Sequence, residues 1–162
     1  MAVSKAKQDW TWKILLAVAV LLLLPPILTA IYAIHTQREF SAFIADLSRS
    51  TLYAYQHGGL TVEDTDGRKV TAVESDDIYY FYRAVSVGGR GRPRRDAPSN
   101  GDSIRLTFGN GAWVQLWDTA VKNSRLNRDR GLFIQYHFAG GGEYSFDTDR
   151  LTLEQVRTAI LY

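Results

Sequence analysis

Ile14-Leu-Leu-Ala-Val-Ala-Val-Leu-Leu-Leu-Leu-Pro-Pro-Ile-Leu-Thr-Ala-Ile-Tyr-Ala-Ile34 carries no charge along its length. Wound as a helix at about 1.5 Å per residue it is about 31 Å long, which matches the roughly 30 Å hydrocarbon core of a bilayer. A helix buried in a soluble core would show a polar stripe, and this stretch is apolar on every side. A secretory leader has a shorter apolar region of about 7–15 residues and ends in an Ala-x-Ala-like site. Here the only candidates, Leu-Thr-Ala30 and Ile-Tyr-Ala33, do not fit that pattern. The reading is an uncleaved signal-anchor.

The residues around the segment give its direction. Lys5, Lys7 and Lys13 precede it against Asp9, a net of 3 − 1 = +2, while only Arg38 and Arg49 follow closely. Positive flanks stay in the cytoplasm. Trp10 and Trp12 suit the cytoplasmic interface and Tyr32 the opposite one, as in an aromatic belt. Lys13, Trp10, Trp12 and Tyr32 are therefore the expected membrane-interface residues. The expected order is a cytoplasmic tail at 1–13, a transmembrane helix at 14–34, a juxtamembrane helix at 35–57 and an extracytoplasmic domain at 58–162. The location implied is the cytoplasmic membrane, single-pass, with the domain outside. Pro25-Pro26 removes two backbone donors and predicts a kink or an interruption.

Beyond the span the pattern stays helical. Phe40, Phe43, Ile44 and Leu47 fall on one stripe, with Arg38, Glu39, Asp46 and Arg49 elsewhere on the surface. Gly58-Gly59 ends the helix. Three hairpins are then expected. Leu60–Asp64 and Arg68–Glu74 flank Asp66-Gly67, Ser103–Phe108 and Ala112–Trp117 flank Gly109-Asn110-Gly111, and Leu132–Phe138 and Glu143–Phe146 flank Gly140–Gly142. Ile78, Phe81, Tyr82 and Val85 have helical spacing behind Ser75, Asp76 and Asp77, so residues 78–87 are read as a helix. Thr152-x-x-Gln155 is a capping box with Leu151 and Val156 as its staple, opening a last helix whose inner stripe is Leu153, Val156 and Ile160. The fold class is α+β, an antiparallel hairpin domain with a C-terminal helix. Were residues 78–87 a strand, seven strands and one helix would resemble the outline of a pleckstrin-homology-like barrel by count.

Composition narrows the functions. The chain has 162 residues and no cysteine, which excludes disulfides, thiolate metal sites and cysteine nucleophiles. From His35 onward 16 basic residues balance 16 acidic ones (19 − 3 and 17 − 1), so a general nucleic-acid affinity is not expected. The charges are segregated: residues 63–77 hold six acids against Arg68 and Lys69, and residues 83–105 six arginines against Asp96 and Asp102. The second block contains Gly88–Asp102, rich in glycine, proline and arginine and expected to be a mobile loop. Arg90, Arg92, Arg94 and Arg95 are its candidate contacts for a protein partner, and an anionic lipid or cell-wall polymer is the alternative. Lys122, Arg125, Arg128 and Arg130 form a second basic run.

Asp64-x-Asp66-Gly67 with Glu74 departs from a calcium loop, because the position six residues after the glycine is Val73, and a hairpin turn accounts for the glycine. His35, His57 and His137 lack metal spacing, and no Gly-x-Ser-x-Gly, Walker or Rossmann motif occurs. Trp113 and Trp117 share one face of a strand and Val114 and Leu116 the other, which makes that strand central, with a core layer on each face. No catalytic, cofactor or metal residue is assigned. The function expected is that of a non-enzymatic, membrane-anchored accessory or sensory protein working by interaction. An envelope-facing hydrolase with a site assembled from distant residues is the alternative.

Overall fold

The computed structural model describes residues 2–67, 69–70, 75–88, 92–93, 96–98, 101–119 and 131–161, with side chains from Trp10 onward in the first helix. The chain divides into two compact units, Met1–Arg38 and Glu39–Tyr162. Helix α1 (Ala2–His57) passes through that division and through Pro25 and Pro26, where the sequence predicts a break. Two missing donors thin the hydrogen-bond ladder without ending it, and the Thr29 hydroxyl donates to the Pro26 carbonyl at 2.9 Å. In the first unit the helix is long and apolar enough to cross a membrane, with Leu21 76% and Leu22 70% exposed.

The second unit is α+β. Its strands are β1 (Leu60–Asp64), β2 (Lys69–Val70), β3 (Arg92–Pro93), β4 (Ser103–Phe108), β5 (Trp113–Thr119), β6 (Gly131–His137) and β7 (Glu143–Thr148). They form one antiparallel sheet in the order β2-β1-β4-β5-β6-β7-β3. Five strands have five or more residues, and the two-residue pieces β2 and β3 close its edges. Strands β4 and β5 pair from Ser103↔Trp117 to Thr107↔Trp113, and β6 and β7 from Leu132↔Thr148 to His137↔Glu143, as two of the three expected hairpins require. In the first hairpin β1 and β2 pair at Val62↔Val70 and Glu63↔Lys69, while residues 71–74 lie outside the described residues.

Helix α2 (Ser75–Gly88) occupies the ambiguous aromatic run, with Asp76 and Asp77 in its first turn. That helix, and a sheet whose edge strands do not pair with each other among the described residues, exclude the seven-strand barrel. Period-2 burial tells which sheet face is inside. Ile104, Leu106, Phe108, Val114, Leu116, Leu132, Ile134, Tyr136, Tyr144 and Phe146 alternate along β4–β7 and are all buried. Three helices contribute to the same core: Phe43, Leu47 and Ala54 from α1, Ile78, Phe81 and Val85 from α2, and Leu153, Val156 and Ile160 from α3 (Leu153–Leu161). The expected stripe on α1 is thus the inner face of a domain helix. Asp46, expected at the surface, is 7% exposed because its carboxylate has buried partners described below.

Local signals place the helix ends. Gly58 has φ +64° and its N–H reaches the Ala54 carbonyl at 2.8 Å, which stops α1 with a residue that adopts left-handed backbone without a Cβ clash. The capping box closes reciprocally, Gln155 N–H to Thr152 Oγ1 at 3.3 Å and Thr152 N–H to Gln155 Oε1 at 3.1 Å. Gly88–Asp102, expected to be loop throughout, contains β3, paired to β7 at Arg92↔Asp147 and Pro93↔Phe146. Proline is tolerated there because an edge strand needs no donor on its outer side.

Candidate functional site

With the helices on one face of the sheet, the other face carries polar and aromatic side chains. Arg105 on β4, Trp113 on β5, His137 on β6 and Glu143 on β7 form a row across four adjacent strands. Trp113 pairs directly with His137, and their rings stack at 5.3 Å with 1° between planes. The Arg105 guanidinium carbon lies 4.4 Å from the indole centroid, on the side of the neighbouring strand β4. One indole face therefore meets a cation and the other an imidazole. His137 Nδ1 is 3.7 Å from Glu143 Oε1, beyond hydrogen-bond length, and Gln135 Nε2 donates to Glu143 Oε2 at 2.9 Å. A second pair, Trp117 and Phe133, lies on the same face with ring centroids 5.3 Å apart, and Gln115 Nε2 donates to Ser103 Oγ at 3.3 Å.

The two tryptophans are half-buried, and among the described residues no second core cluster covers this face, where the sequence suggested one. Phe133, on the same face, is fully buried but stands outside the main core cluster. Covering both faces of Trp113 has a chemical consequence. A sugar ring or nucleobase that stacks on aromatics needs a free π face. What this face offers is a rigid edge, the Arg105 guanidinium and the carboxamides of Gln115 and Gln135, groups suited to hydrogen-bonded contact with a protein surface.

Two further polar clusters hold the domain together. Arg157 on α3 donates to Asp64 Oδ1 at 2.7 Å and Oδ2 at 3.2 Å, and to Asp102 Oδ2 at 2.7 Å and Oδ1 at 2.5 Å. Asp102 is held below the usual carboxylate range, first by its hydrogen bond from Arg157. The Arg157 guanidinium is stabilised in turn by Asp102 and Asp64. The aspartate that begins the calcium-like run is thus a partner of an arginine 93 residues on. On the other side of the core, Asp46 and Ser50 of α1 meet Tyr136 of β6. An open groove lies between α2 and α3, lined by Asp76, Asp77, Tyr80, Gln155, Thr158 and Ala159.

Of the arginines singled out in the sequence, Arg90, Arg94 and Arg95 lie outside the described residues, and Arg92 is placed by its backbone in β3 alone. Lys122, Arg125, Arg128 and Arg130 also lie outside them. On α1 the expected interface residues Trp10, Trp12 and Tyr32 are 69%, 66% and 62% exposed, and Lys13 is exposed beside them. Sequence reasoning missed the Arg105–Trp113–His137–Glu143 row. Strand parity puts Arg105 on the face opposite Ile104 and Leu106, but which residues sit beside it depends on register across four strands. No protein-family model matches this chain, and no curated protein or solved structure matches it.

Proposed function

We propose that this chain is a single-pass membrane protein whose α+β domain stands outside the cytoplasmic membrane as an accessory or sensory module and works by binding another protein. The observation that carries the reading is helix α1, which contains both the apolar 14–34 segment and the core residues Phe43 and Leu47 of the domain. A domain whose first core residues follow such a segment in sequence is tethered to the bilayer that the segment spans. The outer face of the sheet supports recognition of a protein surface over stacking of a sugar or base, because both sides of Trp113 are occupied. The arginine run at 90–95 supplies a second contact for an acidic partner.

Orientation is tested by a carboxyl-terminal tag in intact cells stripped of any outer layer. Added protease removes the tag if the domain is outside, and a shielded tag overturns the topology. Binding is tested by replacing Arg90, Arg92, Arg94 and Arg95 with serine. The variant keeps its cooperative unfolding and loses captured partners relative to wild type. Identical partner sets for the two forms remove the arginine run from the recognition surface.

A further inference from the structure

An α-helix bonds each N–H to the carbonyl four residues earlier. Proline has no N–H, so Pro25 and Pro26 leave the carbonyls of Leu21 and Leu22 without their helical donors. Both lie near the middle of the 14–34 segment, where in a bilayer no solvent replaces a lost donor. Relief comes from a hydroxyl of the same helix, a local change of helix type, water, or a neighbouring helix. The first is committed elsewhere, since the Thr29 hydroxyl donates to the Pro26 carbonyl at 2.9 Å. The second is not used, since the segment stays α-helical on both sides of the prolines. A water bridging the two carbonyls would find no third polar partner among the side chains of Leu21, Leu22, Leu23 and Leu24, short of the roughly three hydrogen bonds a buried water makes.

A neighbouring helix remains, and its identity is constrained. Thr29 and Tyr32 are the only side-chain donors between Ile14 and Ile34. In a second copy, which enters the bilayer in the same direction, these groups sit roughly 10 Å and 15 Å along the axis from Leu22 at about 1.5 Å per residue. A second copy cannot supply the donors. We infer that the anchor docks against a membrane-spanning helix of a different protein that presents a hydroxyl or carboxamide side chain at mid-membrane depth, bonded to the Leu21 and Leu22 carbonyls. This rests on the reading of residues 14–34 as a membrane span.

The test uses the full chain, labelled and reconstituted in phosphatidylcholine vesicles with a labelled host helix of about 20 Leu and Ala residues. One host carries Thr at its centre and the other Ala. Energy transfer shows about threefold tighter association with the Thr host, the usual scale of one interhelical hydrogen bond in lipid. A Pro25→Leu/Pro26→Leu variant, which restores both donors, loses that preference. Equal association with the two hosts overturns the inference, as does a preference that survives the double substitution. Transfer between two copies of the chain as strong as transfer to the Thr host overturns it as well. Alkaline carbonate extraction separates the two levels. A chain released from the vesicles sinks the span itself, whereas a chain that stays embedded but does not discriminate the hosts sinks only the pairing.

Discussion

The Tyr136 hydroxyl donates to Asp46 Oδ2 at 3.0 Å, joining β6 to a carboxylate of α1 that lies 90 residues earlier. The bond belongs to a closed set. Ser50 Oγ lies 3.1 Å from the same hydroxyl, the Ala139 N–H reaches Asp46 Oδ2 at 3.2 Å, Arg49 donates to Oδ1 at 2.8 Å, and Asn110 Nδ2 donates to Ser50 at 2.9 Å. Burial raises the pKa of the Tyr136 phenol, so it remains a donor through the physiological range. Tyr136 and Ser50 are fully buried, and apolar packing alone would leave the rotation of α1 on the sheet less defined.

Tyr136→Phe therefore removes a donor from a buried carboxylate while keeping the ring that packs on Phe43 at 5.1 Å. Hydrogen bonds to a charged group are worth about 1.5–3 kcal/mol, and the variant is expected to lose stability in that range. Urea unfolding of the detergent-solubilised chain, followed by near-UV circular dichroism, measures it. A midpoint equal to that of wild type would mean that the network contributes nothing net.

Arg157 gives the domain an acid-sensitive fastening. The Asp102 carboxyl is depressed by Arg157, so its contribution is complete above the unfolded carboxylate pKa of about 3.9 and is lost as pH falls through the lower folded value. Stability should decline below about pH 4, and part of that decline should vanish in Arg157→Gln. At neutral pH the same variant leaves Asp64, whose side chain is 10% exposed, without its guanidinium. The expected cost is about 1–3 kcal/mol. Thermal unfolding of both forms between pH 3 and pH 7 reads both effects, and parallel curves would refute the linkage.

Gly131 opens β6 where β7 ends, opposite the Thr148 carbonyl. A Cβ placed on Gly131 would collide with the Thr148 backbone oxygen, which belongs to the sheet and cannot rotate away. Gly131→Ala should cost about 1–3 kcal/mol through forced separation of the two strands. Gly140→Ala, where an added Cβ meets nothing within 4 Å, is the matched control and should stay within about 0.5 kcal/mol of wild type. Equal unfolding midpoints for the two variants would contradict the close approach.

Much of this fold was legible because each signal was local and repeated. Alternation of Ile104, Leu106 and Phe108, glycine-bearing turns and the Thr152–Gln155 box act within a few residues, and the structure follows them. The helix over 75–88 was harder, since Tyr79, Tyr80 and Phe81 suit a strand. It was decided by burial of Ile78, Phe81 and Val85 in the same core. The long-range polar sets were illegible. Asp46 reads as a solvated residue of an amphipathic helix until β6 brings Tyr136 to it, and Arg157 reads as an ordinary surface cation until β1 and β4 align Asp64 with Asp102. Composition misled at Arg92-Pro93, where a sheet edge accepts residues that a sheet centre would refuse.

Phe43 and Trp113 are both aromatic residues in ring contact, yet they should respond to substitution in opposite ways. Phe43 is fully buried against Phe40, Tyr136, Tyr144 and Phe146, with ring centroids 5.1–5.9 Å away, on the face where all three helices meet the sheet. Phe43→Ala leaves a cavity that its neighbours cannot fill and should cost about 3–5 kcal/mol. Trp113 is held on the outer face by one imidazole and one guanidinium. Arg105→Ala uncovers an indole face at a cost of about 0.5–1 kcal/mol, the scale of an exposed cation–π contact. It should shift tryptophan emission to the red and increase quenching by acrylamide, read in a background where Trp10 and Trp12 are replaced by phenylalanine. If the outer row is the recognition edge, Arg105→Ala weakens partner capture while unfolding remains near wild type, and Phe43→Ala abolishes capture only in proportion to the unfolded fraction. Loss of capture without unfolding in Phe43→Ala, with none in Arg105→Ala, would move recognition from the outer sheet face to the helical side.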